Sequence, residues 1–186
     1  GDFVDPAVQD TVSIAAMKPW VIEPDMKAKR ARTLAEDIGE AIVGRRLSKI
    51  ALDENSPILG GYFGDSEGWK VFEQIGIGAV AKEGAWQEAL ALVEQEMRRA
   101  EQFGFTQAEV DEQLAIRRTA LKTAVAGVTT RRSDGLADAL VEAADGDFVV
   151  VRPETSQALF DATAPALTAD TVTAAFRKRM QGFSAP

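Results

Sequence analysis

The sequence predicts an α+β fold, a small and mainly antiparallel sheet with several helices packed on one face. Three observations carry this. Two stretches, around residues 11–17 and 71–82, alternate apolar and polar positions with a period of two, as half-buried strands do. Longer stretches between and after them repeat apolar residues every three or four positions, as amphipathic helices do. The order is strand, long helix, strand pair, then a run of helices, without the regular strand–helix alternation of a doubly wound sheet.

In the first strand Val12, Ile14 and Ala16 share one face. Pro19 and Pro24 bracket a loop carrying Trp20 and Ile22. Residues 26–52 read as a long helix capped by Asp25, with Leu34, Ile38, Ala41, Ile42 and Leu47 on the buried side. Lys27, Lys29, Arg30 and Arg32 crowd its first turns, where the helix dipole favours anions instead. Pro57, Gly60, Gly61, Gly64 and Gly68 mark turns around a short strand at 58–63. The clearer strand follows. Val71, Ile75, Ile77, Ala79 and Ala81 line one face, interrupted by Glu73; Lys70, Gln74 and Lys82 line the other, and Gly84 ends it.

Residues 85–103 carry a helical stripe of Trp86, Leu90, Val93, Met97 and Ala100, closed by Gly104. Thr106 and Glu109 then form a T-x-x-E capping box, with Phe105 and Val110 placed as a hydrophobic staple. Val110, Leu114, Leu121 and Val125 define the buried face of that next helix. Thr129, Thr130 and Ser133 mark its end, and Leu136, Leu140 and Val141 predict a further helix to about Gly146. Residues 148–151 read as a short strand or an extended link, with Pro153 barring a continuous helix. A short helix near 155–163 and a last one capped by Thr168 and running to about Met180 follow. Residues 182–186 read as a frayed end and Gly1-Asp2-Phe3 as the end of a preceding linker.

With 186 residues, of which 46% are apolar and 27% charged, the chain reads as a single domain over 1–186 with a sizeable core. No apolar run is long enough to span a bilayer, and the opening has neither the basic start nor the apolar stretch of a signal peptide. The net charge of −8 argues against a nucleic-acid partner, because phosphate contacts dominate such binding. There is no cysteine, which excludes disulfides and thiolate zinc sites. There is no histidine either. The commonest general base and the usual zinc ligand are therefore missing, and Ser-His-Asp or Cys-His catalysis is impossible in this chain.

The remaining candidates for chemistry read as structure. The run Leu59-Gly60-Gly61-Tyr62-Phe63-Gly64 lacks the Gly-Lys-Ser/Thr of a phosphate loop and is followed by Asp65 and Glu67, so it reads as a hairpin or loop. Asp65-Ser66-Glu67-Gly68 lacks the further ligands of a calcium loop and reads as a turn. Glu36/Asp37, Glu94/Glu96 and Glu109/Asp111/Glu112 read as solvated helix faces. The doublets Arg45-Arg46, Arg98-Arg99, Arg117-Arg118 and Arg131-Arg132 would make an anion site only by converging, and read as surface charge. Trp20, Trp69 and Trp86 read as core rather than as a stacking platform for bases.

Three stretches form an ordered set. Arg45-Arg46-Leu47-Ser48-Lys49-Ile50 closes the long helix ahead of Pro57-Ile58-Leu59-Gly60. The strand of residues 71–82 runs into Gly84-Ala85-Trp86-Gln87-Glu88-Ala89-Leu90. Phe103-Gly104-Phe105-Thr106-Gln107-Ala108-Glu109-Val110 joins two helices. In this order and spacing, over roughly residues 26–180, they resemble the pitrilysin/insulinase superfamily of zinc peptidases.

The resemblance implies an α+β domain, one of four similar domains that form the two halves of a clamshell. In that family a His-x-x-Glu-His motif and a distal Glu bind zinc; with no histidine, the motif cannot be carried over. The family also uses an Arg and a Tyr from the opposite half. Here the stretch for the Arg reads Leu52-Asp53-Glu54-Asn55, and only Tyr62 follows in place. No catalytic, cofactor-binding or metal residue is therefore assigned to this chain. The expectation is a non-catalytic supporting domain of a zinc-dependent metalloendopeptidase, walling the peptide chamber and bracing the zinc-binding domain. Zinc belongs to the parent's catalytic domain. The partners are other domains of the same chain and, in the parent, a peptide substrate, with no nucleic acid. Bacterial members allow a periplasmic parent. The alternative is a stand-alone binding or dimerisation module built on the Trp86, Val93 and Met97 stripe or on the arginine doublets.

Overall fold

The two period-two stretches pair with each other. β1 (Thr11–Pro19) and β3 (Phe72–Ala81) are antiparallel, and β2 (Ile58–Gly68) lies antiparallel on the other edge of β3, giving the order β1-β3-β2. Ile14, Ile77 and Phe63 face one another across the three strands, so the apolar alternation of each points to the same side. The computed structural model describes residues 9–146 and 148–181. The expected frayed end at 182–186 and the linker reading of Gly1-Asp2-Phe3 lie outside the described residues.

Among the described residues, six α-helices complete the chain. They are α1 (Lys27–Ile50), α2 (Trp86–Phe103), α3 (Gln107–Ala126), α4 (Ser133–Gly146), α5 (Pro153–Thr163) and α6 (Ala169–Gln181). α1 crosses β2 and α6, α2 covers β3 and β1, and α3 packs on α5 and α1. One apolar core lies between sheet and helices: Ile38, Ile42, Val43 and Leu47 of α1, Ile58, Ile75, Ile77 and Ala79 of the sheet, Val93 of α2, Val110 of α3 and Phe176 of α6 are all buried. The α+β expectation of an antiparallel sheet with helices on one face holds.

Three aromatic rings meet at Phe176. Its ring lies 5.4 Å from Phe63 and stands edge-on to Phe105 at 5.2 Å. A Cβ on Gly39 would come within 3.1 Å of both Phe105 and Phe176. Gly39 thus lets α1 approach these rings. The α2–α3 joint is equally defined. Gly104 takes φ +69° and its N–H closes α2 on Ala100 O at 3.0 Å, and both halves of the Thr106/Glu109 capping box form. Phe105 and Val110 are buried as the staple requires. Thr168 accepts the Thr171 N–H at 3.3 Å and so caps α6, and Pro153 stands at the first turn of α5, where a missing N–H costs nothing.

Several expectations are corrected. β2 continues through Gly68, so Asp65-Ser66-Glu67-Gly68 is strand, not turn; pairing with β3 overrides the low strand propensity of its glycines. The turn itself is residues 69–71, with Trp69 and Lys70 in left-handed backbone (φ +46° and +56°) and the Val71 N–H donating to Gly68 O at 2.9 Å. Trp69 is consequently 90% exposed at the tip, Trp86 at the start of α2 is also exposed, and only Trp20 is partly covered. Ala89, Val93, Glu96 and Ala100 of α2 are buried, and Leu90 and Met97 of the expected stripe pack partly buried against the core. Val71 and Ala41 are likewise exposed. Asp25 does not cap α1: Met26 is the N-cap residue and no side chain bonds to that end. Residues 148–151 form an extended link rather than a strand.

Gly104→Ala tests the joint. An added Cβ would sit 2.5 Å from Thr173 Cγ2, in backbone that L side chains rarely adopt. The substitution should lower unfolding stability by about 2 kcal/mol in urea denaturation; a variant as stable as the native chain would show that the joint is not strained.

Candidate functional site

At one end of the sheet the apolar face gives way to charge. Glu73 lies two residues before Ile75, on the same face, and there it meets Lys18 of β1 (2.9 Å) and Arg179 of α6 (3.3 Å). Arg179 also pairs with Asp65 of β2, and its Nε lies 3.9 Å from Glu40 Oε1 on α1. Four elements thus meet around one guanidinium that is only 15% exposed. Glu36, Asp37 and Arg32 line the same cleft of about 550 Å³. Burial, reinforced by the charge of Asp65, pushes the Glu40 carboxyl up to about 8 despite the pull of Arg179. Burial also raises Glu36.

A second polar contact secures the α2–α3 joint. Arg46 holds Glu109 with two hydrogen bonds (2.7 and 2.9 Å), reaches Gly104 O at 3.0 Å and lies over the Phe105 ring. Burial alone would raise Glu109, but the bonds from Arg46 and Thr106 outweigh it and hold the carboxyl down at about 2. A third contact straps the extended link onto α1. Arg30 donates from Nε to Asp25 at 2.7 Å and from Nη2 to Val149 O at 2.7 Å, while Asp25 accepts the Val149 N–H at 2.8 Å. Arg30, first, holds Asp25 at about 2.

The sequence candidates for chemistry do not converge. Arg45 pairs with Glu112, Arg98 with Glu94, Arg99 with Glu96 and Arg132 with Asp134, while Arg118 stacks on Phe160. The solvated reading fails for Glu96, which is buried, and the surface reading fails for Arg46. Tyr62 lies on the outer face of the sheet, where a Cβ on Gly78 would touch its ring. Glu40 and Arg179 were not singled out by the sequence reading, although both stand in register with buried stripes: Glu40 with Val43 and Leu47, Arg179 with Val172 and Phe176. No group of His, Cys, Asp and Glu among the described residues is placed to hold a metal ion. The donor set therefore does not fit zinc. No helix of the described residues is long and apolar enough to cross a membrane.

No protein-family model matches the sequence, and no curated protein matches it significantly. Solved structures do match the fold. The first half of the periplasmic protease PqqL from Escherichia coli superposes with a TM-score of 0.84 at 17% identity, covering 94% of this chain and 37% of that one. A predicted insulinase family protease from Yersinia pestis gives 0.78 at 18% identity, covering 95% and 38%. A peptidase M16 inactive domain from Pseudomonas fluorescens gives 0.59 at 18% identity, covering 90% and 38%. The chain thus has the fold of domains found in insulinase-type proteases, and it spans less than two fifths of each of these three structures.

The Glu40 environment has a measurable consequence. Its folded carboxyl titrates near 8 rather than at the ordinary 4.5. Between those values the folded state keeps a proton that the unfolded state has lost, so stability is full below the lower value and falls as pH rises through the upper one. Glu40→Gln should remove most of that fall, leaving the part due to Glu36 and Asp37, both also raised by burial. In urea unfolding the variant should overtake the native chain by on the order of 2 kcal/mol at alkaline pH. Parallel profiles for the two proteins would rule out a protonated Glu40.

Proposed function

We propose that this chain is a non-catalytic supporting domain of a zinc-dependent metalloendopeptidase of the pitrilysin/insulinase type. The observation that carries the reading is the match of nearly the whole chain to part of larger insulinase-type proteases, one match being a peptidase domain described as inactive, in a sequence with no histidine. In this role the domain walls the chamber that holds a peptide and braces the domain that binds zinc; support of that kind raises a rate by positioning, without touching the chemistry.

Two surfaces support it. The outer face of the sheet is rich in glycine, with Gly60, Gly64, Gly76 and Gly78 among Ser13, Ala15 and Ser66, and it presents the exposed side chains of Met17 and Tyr62. Such a face can border an extended peptide closely. On α4 only Ala143 is buried, while Leu136, Leu140 and Val141 are exposed, which fits contact with a neighbouring domain. The stand-alone binding module has less behind it, because the arginine doublets are dispersed and the core of the α2 stripe is spent on the sheet.

The test is a zinc and peptidase assay on this chain and on a longer polypeptide that carries it. The isolated chain should be inert and zinc-free, and the longer one should cut unfolded peptides and lose that activity to a chelator. If the longer polypeptide is also inert and metal-free, the reading as part of an active peptidase fails.

A further inference from the structure

A cleft of about 390 Å³ opens on the helical side of the molecule, between α1, α3 and α5. Its floor is apolar: Leu34, Leu121, Leu159 and the buried ring of Phe160 line it. Its walls carry Lys29, which donates to Glu23 O at 3.1 Å, the Asp25–Arg30 ion pair, and two further opposite charges, Asp37 from α1 and Arg117 from α3. They come from separate helices, and they are close enough for Arg117 to act on the Asp37 carboxyl without an ion pair between them. Neither has a hydrogen-bond or ion-pair partner among the described residues. That sets them apart from Arg30, Arg32, Arg45, Arg46, Arg98, Arg99 and Arg132, which are all ion-paired. The link at 148–151, strapped to α1 by Asp25 and Arg30, brings Phe148 to the edge of the cleft and closes one side of it.

An apolar floor with one unpaired cation and one unpaired anion at its walls is complementary to a small zwitterion with an apolar body. We infer that this cleft binds a short apolar peptide, Asp37 receiving the α-ammonium, Arg117 the α-carboxylate, and the Leu34–Leu121–Leu159–Phe160 floor the side chains. A guanidinium suits the carboxylate because it can offer two parallel N–H donors. A cleft of this size accommodates a dipeptide of large apolar residues, not a longer chain. The assignment rests on the residues of the cleft alone and is independent of the peptidase reading, so either can fail without the other.

The test is calorimetric titration of this chain with the dipeptide Leu-Phe, repeated with its N-acetylated and C-amidated forms. Free Leu-Phe should bind, and each blocked form should bind about tenfold more weakly. Arg117→Gln and Asp37→Asn remove no bond that holds the fold, so both variants should melt like the native chain. Arg117→Gln should weaken the free dipeptide about tenfold and leave the amidated form unaffected; Asp37→Asn should do the same with respect to the acetylated form. Absence of binding at millimolar dipeptide overturns the inference. So does equal binding of a doubly blocked peptide, which would mark the cleft as merely apolar. Octanoate binding that is lost in Arg117→Gln and untouched in Asp37→Asn, with no dipeptide binding, would reassign the cleft to fatty-acid anions and overturn it too.

Discussion

The fold depends on one ring. Phe176 is fully buried and touches every layer of the molecule: Phe63 of the sheet, Phe105 of the α2–α3 joint and, at 3.1 Å from where a Cβ would stand, Gly39 of α1. A side chain of that size in a packed interior contributes about 3–5 kcal/mol relative to alanine, a large share of an ordinary domain's stability. The geometry also constrains its neighbours. α1 presents a glycine at 39, where a Cβ would stand 3.1 Å from both Phe105 and Phe176, tighter than ordinary contact. The joint must turn sharply at Gly104 so that Phe105 can reach the ring's edge. The long helix, the sheet and the C-terminal helix are thus positioned by one shared contact.

The same helix that carries Phe176 carries Arg179 one turn later, and this explains why buried charge is tolerated here. Where the sheet's apolar face ends at Ile75, the next inward position is Glu73. Leaving it alone in the interior would cost several kcal/mol. Arg179 answers Glu73 and Asp65 together, with Lys18 sharing Glu73. Glu40 then faces a guanidinium already shared by two carboxylates, and the lower-energy solution is for it to keep its proton. The charged cluster is best understood as the seal on the open end of the core. The raised Glu40 carboxyl arises from burial first and then from the carboxylates gathered around one arginine, not from an arrangement suited to a metal.

How much of this could be read from the sequence follows from which interactions are local. The capping box at Thr106 and Glu109, the alternation of β1 and β3 and the Thr168 cap depend on residues within a few positions, and all were legible. β2 was only half legible, since Gly60, Gly61, Gly64 and Gly68 have little strand preference and are held by the partner strand. Trp69 and Trp86 misled because size suggests burial, whereas their place at a hairpin tip and a helix start leaves them outside. Asp25 had the right position for a cap, but Arg30 and the backbone of Val149 compete for it from 124 residues away in the case of the latter. Glu40 and Arg179 did leave a signal, a charge in register with an apolar stripe. What the sequence could not supply was that the two stripes face each other. Asp37 and Arg117 were read as parts of charged runs; their isolation became visible only when every neighbour's partner was known.

The two candidate roles use opposite sides of the molecule, and this bears on how they could coexist. In the proposed supporting role, the glycine-rich outer face of the sheet is the surface suited to lie along a peptide. The cleft of Asp37 and Arg117 opens among the helices, behind the core that Phe176 closes. A small peptide there would not compete for the sheet. It would instead touch α1, α3 and α5 at once, and α1 runs unbroken from the cleft's floor at Leu34 past Glu40 to Arg46 at the α2–α3 joint. Occupancy of the cleft would therefore favour whatever spacing of these three helices the ligand fits best. In the proposed role α1 adds, beside positioning, a second route to a reaction carried out elsewhere: the helix that links the cleft to the packing of the sheet.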